Sequence, residues 1–263
     1  MEPDVIDAVD RTLAILECFT SERPVLGISE ISRELGLHKS AVFRSLVSLK
    51  ARGLISRDPQ TRRYMVGAKI LRPAGAYLRT VDLHEKARPI VEALRARTKE
   101  TISLYVPAGD RGVCIERLES PLEIRRVVSI GDQVPLHVGS TGKVLLAHMA
   151  EPAQSEYLSH LRDEIPNQSP PADRARLLAE LALIRQQGVA TSHEERVPQV
   201  SSASAPIFGA TGEVAAVLTV SGPSARFDVE HLKRCSALVK EATGQISEQI
   251  GFGLYRKSVN SHS

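Results

Sequence analysis

The stretch of residues 28–66 constrains the fold more than any other, because two short helical patterns in it each end at a glycine. We predict Ser29 as the N-cap of the first helix, since a hydroxyl can accept a hydrogen bond from a first-turn N–H. Gly36 ends this helix and Gly53 ends the second one, residues 38–52, because glycine enters the left-handed region without steric cost. Two helices joined by a tight turn are therefore expected.

A basic hairpin follows the second helix. Residues 54–57 and 63–66 are predicted as strands around the turn at residues 58–62. Helix, turn, helix and hairpin in this order predict a winged helix-turn-helix, in which the second helix enters the DNA major groove. A preceding helix, residues 5–19, carries apolar residues at every third or fourth position, and residues 20–26 are predicted as a loop.

Positive charge is concentrated in this region. Residues 39–79 contain ten Lys or Arg side chains and one acid, Asp58, although the formal net charge of the whole chain is only +3. A local basic face is typical of phosphate contact. The alternative is a solvated face on a structural or protein-binding winged helix, but the small residues at the start of the second helix favour DNA. The candidate DNA-binding residues are Ser29, Lys39, Ser40, Ala41, Arg44, Arg62 and Arg63.

Length and composition bound the class of protein. A chain of 263 residues with 42% hydrophobic residues is sufficient for two cored domains. Three widely separated cysteines predict reduced thiols rather than a disulfide framework. The acidic start, residues 1–4, does not resemble a signal peptide, and no apolar run is long enough to span a membrane. We therefore expect a cytoplasmic protein.

The rest of the chain predicts an α+β arrangement. Residues 67–97 are expected to be mostly helical, with breaks near Pro73 and Val81, and to link two domains. Alternating apolar residues and a turn at residues 109–112 then predict an antiparallel sheet flanked by helices. Its predicted strands include residues 101–106, 113–115, 124–128 and the central 214–220, with a turn at Gly222-Pro223. The predicted helices are residues 151–161, 172–187 and a long one from Asp228.

A small-residue turn in residues 134–147 opens directly into an apolar helix. The N–H groups of Ser140, Thr141 and Gly142 are expected to point outward at its start, where the helix dipole favours an anion. A phosphate-binding loop is excluded, because that motif needs a glycine where His137 stands and a hydroxyl residue where Val144 stands. A carboxylate site remains possible.

Other chemistry finds little support in the sequence. The histidines show no tight metal-ligand spacing, and no Gly-x-Ser-x-Gly motif is present. Glu194 and Glu195 are neighbours on a predicted strand, so their carboxylates point to opposite faces. We therefore predict no catalytic residue, no metal ligand and no cofactor.

Three ordered stretches resemble the IclR family of bacterial transcription regulators. They are residues 28–54 with the hairpin, residues 134–147, and residues 188–195 continuing through Ser221-Gly222-Pro223. The resemblance extends from about Val5 to about Gly251. It implies a winged helix-turn-helix, a linker helix and a C-terminal effector domain of GAF- and PAS-like fold, in dimers or dimers of dimers. The expected boundaries are 1–66 for the DNA-binding domain, 67–97 for the linker, 98–254 for the effector domain and 255–263 for a flexible tail.

The resemblance also implies particular effector-binding residues. Family members that sense small acids hold the carboxylate on backbone N–H groups at the positions of Ser140 and Thr141. Side chains at the positions of Ser192, Ser202, Thr219 and Ser221 complete that pocket. This chain departs from the pattern, because Ser192 stands where those members have an aspartate, Ser202 where one has a cysteine, and Thr219 where they have a serine. The identity of the ligand therefore does not transfer.

Two further positions, Arg126 and Val134, match apolar lining in the same members. Arg126 either pairs with a second carboxylate or extends to water.

Two functions remain open at this stage. In the first, the chain is a ligand-responsive regulator that binds a double-stranded DNA operator as a homodimer or dimer of dimers and senses a small organic acid. In the second, the C-terminal domain is an enzyme acting on a small acid, and the winged helix is a docking module. The pocket stretch is rich in Ser and Thr and lacks a convergent acid, base and nucleophile, which favours binding over turnover.

Overall fold

A computed structural model describes residues 6–20, 22–74, 83–161 and 174–251, with the side chains of residues 83–85 left undescribed. The chain divides into two compact units, residues 1–81 and 82–263. The predicted break near Val81, the loop at residues 166–171 and the predicted tail at residues 255–263 lie outside the described residues.

The first unit contains three helices and a small antiparallel sheet. Its elements are α1 (Asp7–Glu17), β1 (Val25–Leu26), α2 (Ile28–Leu35), α3 (Lys39–Arg52), β2 (Ile55–Arg57) and β3 (Tyr64–Val66), followed by a 3₁₀ turn at Ala68–Ile70. The strand order is β1-β3-β2. Ile31 of α2, Leu46 of α3 and Tyr64 of β3 are among the residues of one buried apolar cluster. The predicted winged helix-turn-helix is confirmed as a fold.

Two local predictions in this unit were wrong. The N-cap of α2 is Gly27, not Ser29, and the Glu30 carboxylate accepts a hydrogen bond from the Gly27 N–H at 2.7 Å. Glutamate three residues after the cap replaces a capping hydroxyl, and Ser29 is left exposed in the first turn. Val25 and Leu26 form a strand rather than a loop, because they pair with Met65 and Tyr64 of β3.

The second unit is built on a six-stranded antiparallel sheet. Its strands are β4 (Thr101–Ala108), β5 (Arg111–Leu118), β6 (Gln133–Pro135), β7 (Ala190–His193), β8 (Val200–Phe208) and β9 (Val214–Pro223), in the order β6-β5-β4-β9-β8-β7. Its helices are α4 (Leu83–Thr98), α5 (Gly139–His148), α6 (Glu151–His160), α7 (Arg174–Gln187) and α8 (Val229–Gln249). The prediction that residues 214–220 lie at the centre of the sheet is confirmed.

Several predicted boundaries in this unit were wrong. Residues 124–128 form no strand, and the sheet edge is β6 instead. Val128 is buried, but Ile124 and Val127 are exposed, so the apolar pattern there predicted neither a strand nor a shared buried face. Gly222-Pro223 is not a turn, because β9 continues through it to a 3₁₀ turn at Ser224–Arg226. In the first unit, Pro73 lies within helical residues 71–74, and since residues 75–82 are outside the described residues, the break near Pro73 stays a prediction.

The cysteines, the candidate metal ligands and the helix lengths can be examined in the described residues. The three cysteines are free thiols, and all are buried. Burial raises the pKa of Cys114 to about 12 and that of Cys235 to about 11. In the described part of the chain, no group of three or more His, Cys, Asp or Glu side chains could hold a metal ion. Nor does any described helix combine the length and apolarity needed to cross a membrane.

Gly142 allows α5 to approach the segment after β6. A Cβ on Gly142 would overlap the Pro135 carbonyl oxygen and lie 3.0 Å from the Cα of Leu136. We expect Gly142→Ala to lower the free energy of unfolding by about 1–3 kcal/mol, since backbone must move to accept the methyl group. Urea unfolding followed by circular dichroism measures the loss.

Gly244 supplies the matched control. It lies within α8, and a Cβ there would have no neighbouring atom within 4 Å. Gly244→Ala is expected to raise the free energy of unfolding by about 0.5–1 kcal/mol, because alanine is the better helix former. Equal effects of the two substitutions would show that close packing at Gly142 does not matter.

Candidate functional sites

The α3 helix presents a polar face to solvent. Val42 and Leu46 are fully buried beneath it, whereas Lys39, Ser40 and Arg44 are exposed on the opposite side. Ala41 is half-buried between the two faces. The amphipathic spacing of the sequence therefore leaves one stripe of α3 available for a partner.

His38, which the sequence analysis did not select, positions the start of α3. It is the N-cap residue, and its Nδ1 accepts a hydrogen bond from the Ser40 N–H at 3.3 Å. The Ser40 hydroxyl lies 2.7 Å from the same nitrogen. The imidazole thus takes the place of a capping hydroxyl and orients the first turn of α3.

The wing presents Arg62 at its tip. Asp58 begins the turn, and its carboxylate accepts hydrogen bonds from the N–H groups of Gln60 and Thr61. These bonds lower the pKa of Asp58, since they stabilise its charged form. Arg62 adopts a left-handed conformation with φ of 59°, is exposed, and has no side-chain hydrogen bond or ion pair within the described ranges.

Arg63, the neighbouring candidate, is engaged within the protein. Its guanidinium contacts both carboxylate oxygens of Glu30, at 2.7 and 2.9 Å, and donates to the Val25 carbonyl. The same carboxylate accepts the Gly27 N–H at the start of α2. That hydrogen bond lowers the pKa of Glu30 most, and the bond from Arg63 lowers it further. Arg63 therefore ties the hairpin to β1 and α2.

In the second unit, the start of α5 faces strands β7, β8 and β9, leaving a cavity of about 40 Å³. The structure brings all the candidate effector-binding residues together here. They are Arg126, Val134, Ser140, Thr141, Ser192, Ser202, Thr219 and Ser221. Strand pairing explains part of the arrangement, because Ser202 of β8 lies opposite Ser192 of β7 on one side and Ser221 of β9 on the other.

A network of hydroxyl groups joins α5 to the sheet. Ser140 Oγ lies 2.6 Å from Ser202 Oγ and 2.7 Å from Ser204 Oγ. Thr141 Oγ1 lies 2.8 Å from Thr219 Oγ1, which is also 2.8 Å from Ser204 Oγ. These side chains satisfy one another, so they fix α5 against β8 and β9.

Two hydroxyl groups at the cavity remain unpaired. Ser192 and Ser221 are 6% and 5% exposed, and neither side chain has a hydrogen-bond partner among the residues that the structure describes. The first-turn N–H groups of Ser140 and Thr141 also lie too early in α5 to bond a carbonyl of the same helix. Four hydrogen-bonding groups therefore converge on this space.

Part of the α5 start is already occupied by a protein carboxylate. Glu195 accepts a hydrogen bond from the Gly139 N–H at 3.1 Å and pairs with Lys143 at 2.7 Å. Lys143, whose side chain is 8% exposed, also pairs with Glu180 of α7. The helix start thus already holds one carboxylate, and the next two residues, Ser140 and Thr141, line the cavity with first-turn N–H groups that no carbonyl of α5 can accept.

Two arginines and one tyrosine line the same cavity. Arg126 comes from the segment after β5, and Arg196 from the connection between β7 and β8. Arg196 is exposed at its outer side, but loss of water around its guanidinium lowers its pKa, and the charge of Arg126 lowers it further, whereas Tyr105 and Asp132 raise it. Burial raises the pKa of Tyr105 to about 12, so its phenol stays protonated.

Sequence reasoning missed several residues of this site. Ser204 was detectable, because it lies two positions from Ser202 and so on the same face of β8. No periodic signal marked Arg196, which lies in an irregular connection. The remaining lining residues that were not predicted are Tyr105, Val128, Val138, Gly139, Val197 and Val200.

Comparison with known proteins identifies both units. Residues 8–59 match the IclR helix-turn-helix domain, and residues 75–248 match the C-terminal domain of bacterial IclR transcriptional regulators. The HTH-type transcriptional regulator BhcR of Paracoccus denitrificans is 36% identical, over 92% of this chain and 86% of its own.

Solved structures agree with this assignment. The IclR transcriptional regulator of Alicyclobacillus acidocaldarius has a TM-score of 0.80 at 25% identity and covers 94% of this chain and all of its own. An IclR homologue from Microbacterium hydrocarbonoxydans, solved with 4-hydroxybenzoate, has a TM-score of 0.77 at 23% identity, over 93% of this chain and 99% of its own.

Fold and matches together define a helix-turn-helix transcriptional regulator with a C-terminal effector-binding domain. The chain belongs to the IclR family.

Proposed function

We propose that this regulator binds a double-stranded DNA operator through α3 and the wing, and that a small organic acid in the C-terminal cavity changes its affinity for DNA. We assign residues 1–66 to DNA binding, 67–97 to the linker and 98–254 to effector binding. The protein acts as a homodimer or a dimer of dimers in the cytoplasm, so that two copies of α3 face two half-sites.

Ser29, Lys39, Ser40, Ala41 and Arg44 are assigned to the DNA-facing side of α2 and α3. Arg44 is exposed, and no acid on the same helix competes for its charge, since α3 contains no Asp or Glu. Arg62 is assigned to a phosphate. Arg63 is assigned to positioning the wing, because Glu30 already occupies its guanidinium.

The observation that supports effector binding best is the convergence of unpaired donors in the cavity. Ser140 and Thr141 share the cavity lining with Ser192 and Ser221, two residues less than a tenth exposed whose hydroxyls have no hydrogen-bond partner in the described structure. A carboxylate at this point would accept several of these bonds and lie at the positive end of α5. The fold neighbour solved with 4-hydroxybenzoate shows that such a fold can be crystallised with an acid.

The enzyme alternative has weaker support. The described lining contains serine and threonine hydroxyls that bond to one another, but no histidine or carboxylate within it is poised beside them as a base. The relative BhcR is likewise named as a regulator.

The test of the proposal is DNA binding with and without acids. The purified chain is titrated with DNA from its own promoter region at several salt concentrations, and then with keto, aromatic and dicarboxylic acids, including 4-hydroxybenzoate. An acid can shift operator affinity only if it binds the two conformational states differently. A shift by one acid supports the proposal, whereas operator binding that no acid alters removes the effector role.

Arg62 provides a prediction for the wing. Arg62→Ala is expected to make the slope of log K against log salt concentration shallower by about 0.9, because one phosphate contact is lost. The loss of affinity should be similar for operator and unrelated DNA. Gln60→Ala, in the same turn and without a charge change, should leave the slope unaltered. Loss confined to the operator would exclude a phosphate contact.

Ser140 provides a prediction for the cavity. Ser140→Pro removes the N–H at a first-turn position that proline tolerates. We expect the acid concentration for half-maximal response to rise about tenfold or more, as for a lost hydrogen bond to a charged group. Ser140→Ala is the control, because it removes the same hydroxyl but keeps the N–H. If both variants respond alike with unchanged thermal midpoints, the N–H does not hold the effector.

A further inference from the structure

The cavity carries more positive charge than one carboxylate requires. We infer that the effector bears two anionic groups, the first at the start of α5 and the second between Arg126 and Arg196. This inference rests on the proposed effector function and narrows the class of ligand.

The two guanidinium groups approach from separate segments and have no partner within the described part of the chain. Arg126 precedes β6, and Arg196 lies between β7 and β8. Neither side chain forms a hydrogen bond or an ion pair there, whereas the adjacent Arg125 pairs with Glu119 at 3.0 Å. Two like charges at one cavity repel each other, and an anion placed between them would relieve that repulsion.

Two acids of the surrounding segments form their hydrogen bonds and ion pairs with other groups. Glu195 bonds to Gly139 and Lys143, at 3.1 and 2.7 Å. Asp132 accepts a hydrogen bond from the Ser129 N–H at 2.8 Å. Asp132 attracts Arg196 through space, but no carboxylate of the described residues forms an ion pair with either arginine, so a ligand anion could still bind directly between them.

The opposite wall of the cavity suits the first anionic group. Ser192 and Ser221 are more than nine-tenths buried, and their hydroxyls are unpartnered among the described residues. They stand beside the first-turn N–H groups of Ser140 and Thr141. Hydroxyl and N–H donors together with two cations in one lining fit a molecule that carries two anionic groups.

The size and lining of the cavity limit what joins the two anions. The cavity encloses only about 40 Å³, so it admits a small, slender molecule. Tyr105 is the one aromatic side chain in the described lining. A short aliphatic chain therefore fits better than a stacked ring, and the second anionic group is either a carboxylate or a phosphate.

Matched pairs of acids test this inference on the full-length protein by isothermal titration calorimetry. The first pair is 2-oxoglutarate and 2-oxopentanoate, which differ by a terminal carboxylate in place of a methyl group. The second pair is 3-phosphoglycerate and glycerate, which differ by the phosphate. We expect the dianion of at least one pair to bind about 10- to 100-fold more tightly than its partner, and the preferred pair identifies the second group.

Substitutions at the arginines locate the effect. Arg126→Met and Arg196→Met should each reduce the preference for the dianion, and the double variant should bring the two affinities of a pair close together. Arg125→Met is the control with the same charge change, and it should keep the wild-type preference because Arg125 is exposed and already paired.

The outcomes separate this inference from the proposed function. Monoanions that bind as tightly as dianions would overturn the two-anion assignment and leave the acid site at α5 standing. A dianion preference that survives in the double variant would likewise exclude these arginines. If none of the four acids binds but 4-hydroxybenzoate does, the two-anion assignment is overturned and the acid site stands; if neither the four acids nor the wider panel of acids binds, the acid-binding site is overturned as well.

Discussion

Arg226→Met is expected to lower the free energy of unfolding of the second unit by about 3 kcal/mol. Arg226 donates to both oxygens of the Glu100 carboxylate, at 2.8 and 2.7 Å. Glu100 is 1% exposed, so the substitution would leave a carboxylate buried without its cation. Arg226 also donates to the Ile124 carbonyl, which ties the irregular segment after β5 to the end of β9.

An exposed ion pair in the same unit provides the control. Arg97 bonds to Glu241 at 3.0 Å, but both side chains are about half exposed. Arg97→Met should change stability by less than about 1 kcal/mol, since water replaces the lost contact. Urea unfolding of both variants measures the difference.

A second substitution shows whether the stability is lost through missing packing or through a buried carboxylate without its ion-pair partner. Glu100→Gln in the Arg226→Met background should recover much of the stability, because an uncharged amide is less costly to bury than a carboxylate. No recovery would mean that the arginine stabilises the domain through its packing.

Arg44→Ala is expected to weaken operator binding by about 1–3 kcal/mol, or roughly 5- to 150-fold, if the guanidinium reads a base edge. Arg44 is exposed on the polar face of α3, opposite the buried Val42 and Leu46. Among the described residues its side chain forms no hydrogen bond or ion pair, so the guanidinium is available to DNA. Fluorescence anisotropy with operator DNA measures the loss.

A contact to a base edge affects sequence preference, whereas the loss of a positive charge alone weakens binding to all DNA. Arg44→Ala should also relax the preference at one base pair of each half-site, whereas affinity for unrelated DNA should fall much less. Arg23→Ala removes the same charge in the same unit, but Arg23 is paired with Glu34 at 2.8 Å. If the Arg23 and Arg44 variants lose equal affinity, Arg44 does not read bases.

The helices of the first unit were predictable because their signals are local. Gly36 and Gly53 end α2 and α3 with φ of 66° and 74°, as their positions in the sequence indicated. The N-cap of α2 was not predictable from hydroxyl residues, because Glu30 serves both Gly27 and the distant Arg63. A side chain shared between helix and hairpin is decided only when the two meet.

The effector cavity likewise combines features that the local sequence predicted with one that depends on tertiary contacts. The helix start at Ser140 and Thr141 follows from small residues before an apolar run, and the resemblance to IclR regulators supplied the positions facing it. Arg196 has no such signal, because its place at the cavity depends on how the chain connects β7 and β8. The assignment of two anionic groups became possible only with that side chain in position.

The sequence by itself therefore determined the helix-turn-helix, the antiparallel sheet with β9 near its centre, and the helix start that faces the cavity. Each depends on contacts between residues close in the chain, or on a period that repeats within one element. Only the tertiary structure decided the pairing of Glu100 with Arg226 and the meeting of Arg126 with Arg196. The pairing of Glu100 joins residues 126 positions apart, and no local pattern specifies a partner at that distance, because strand order and loop paths bring it into contact.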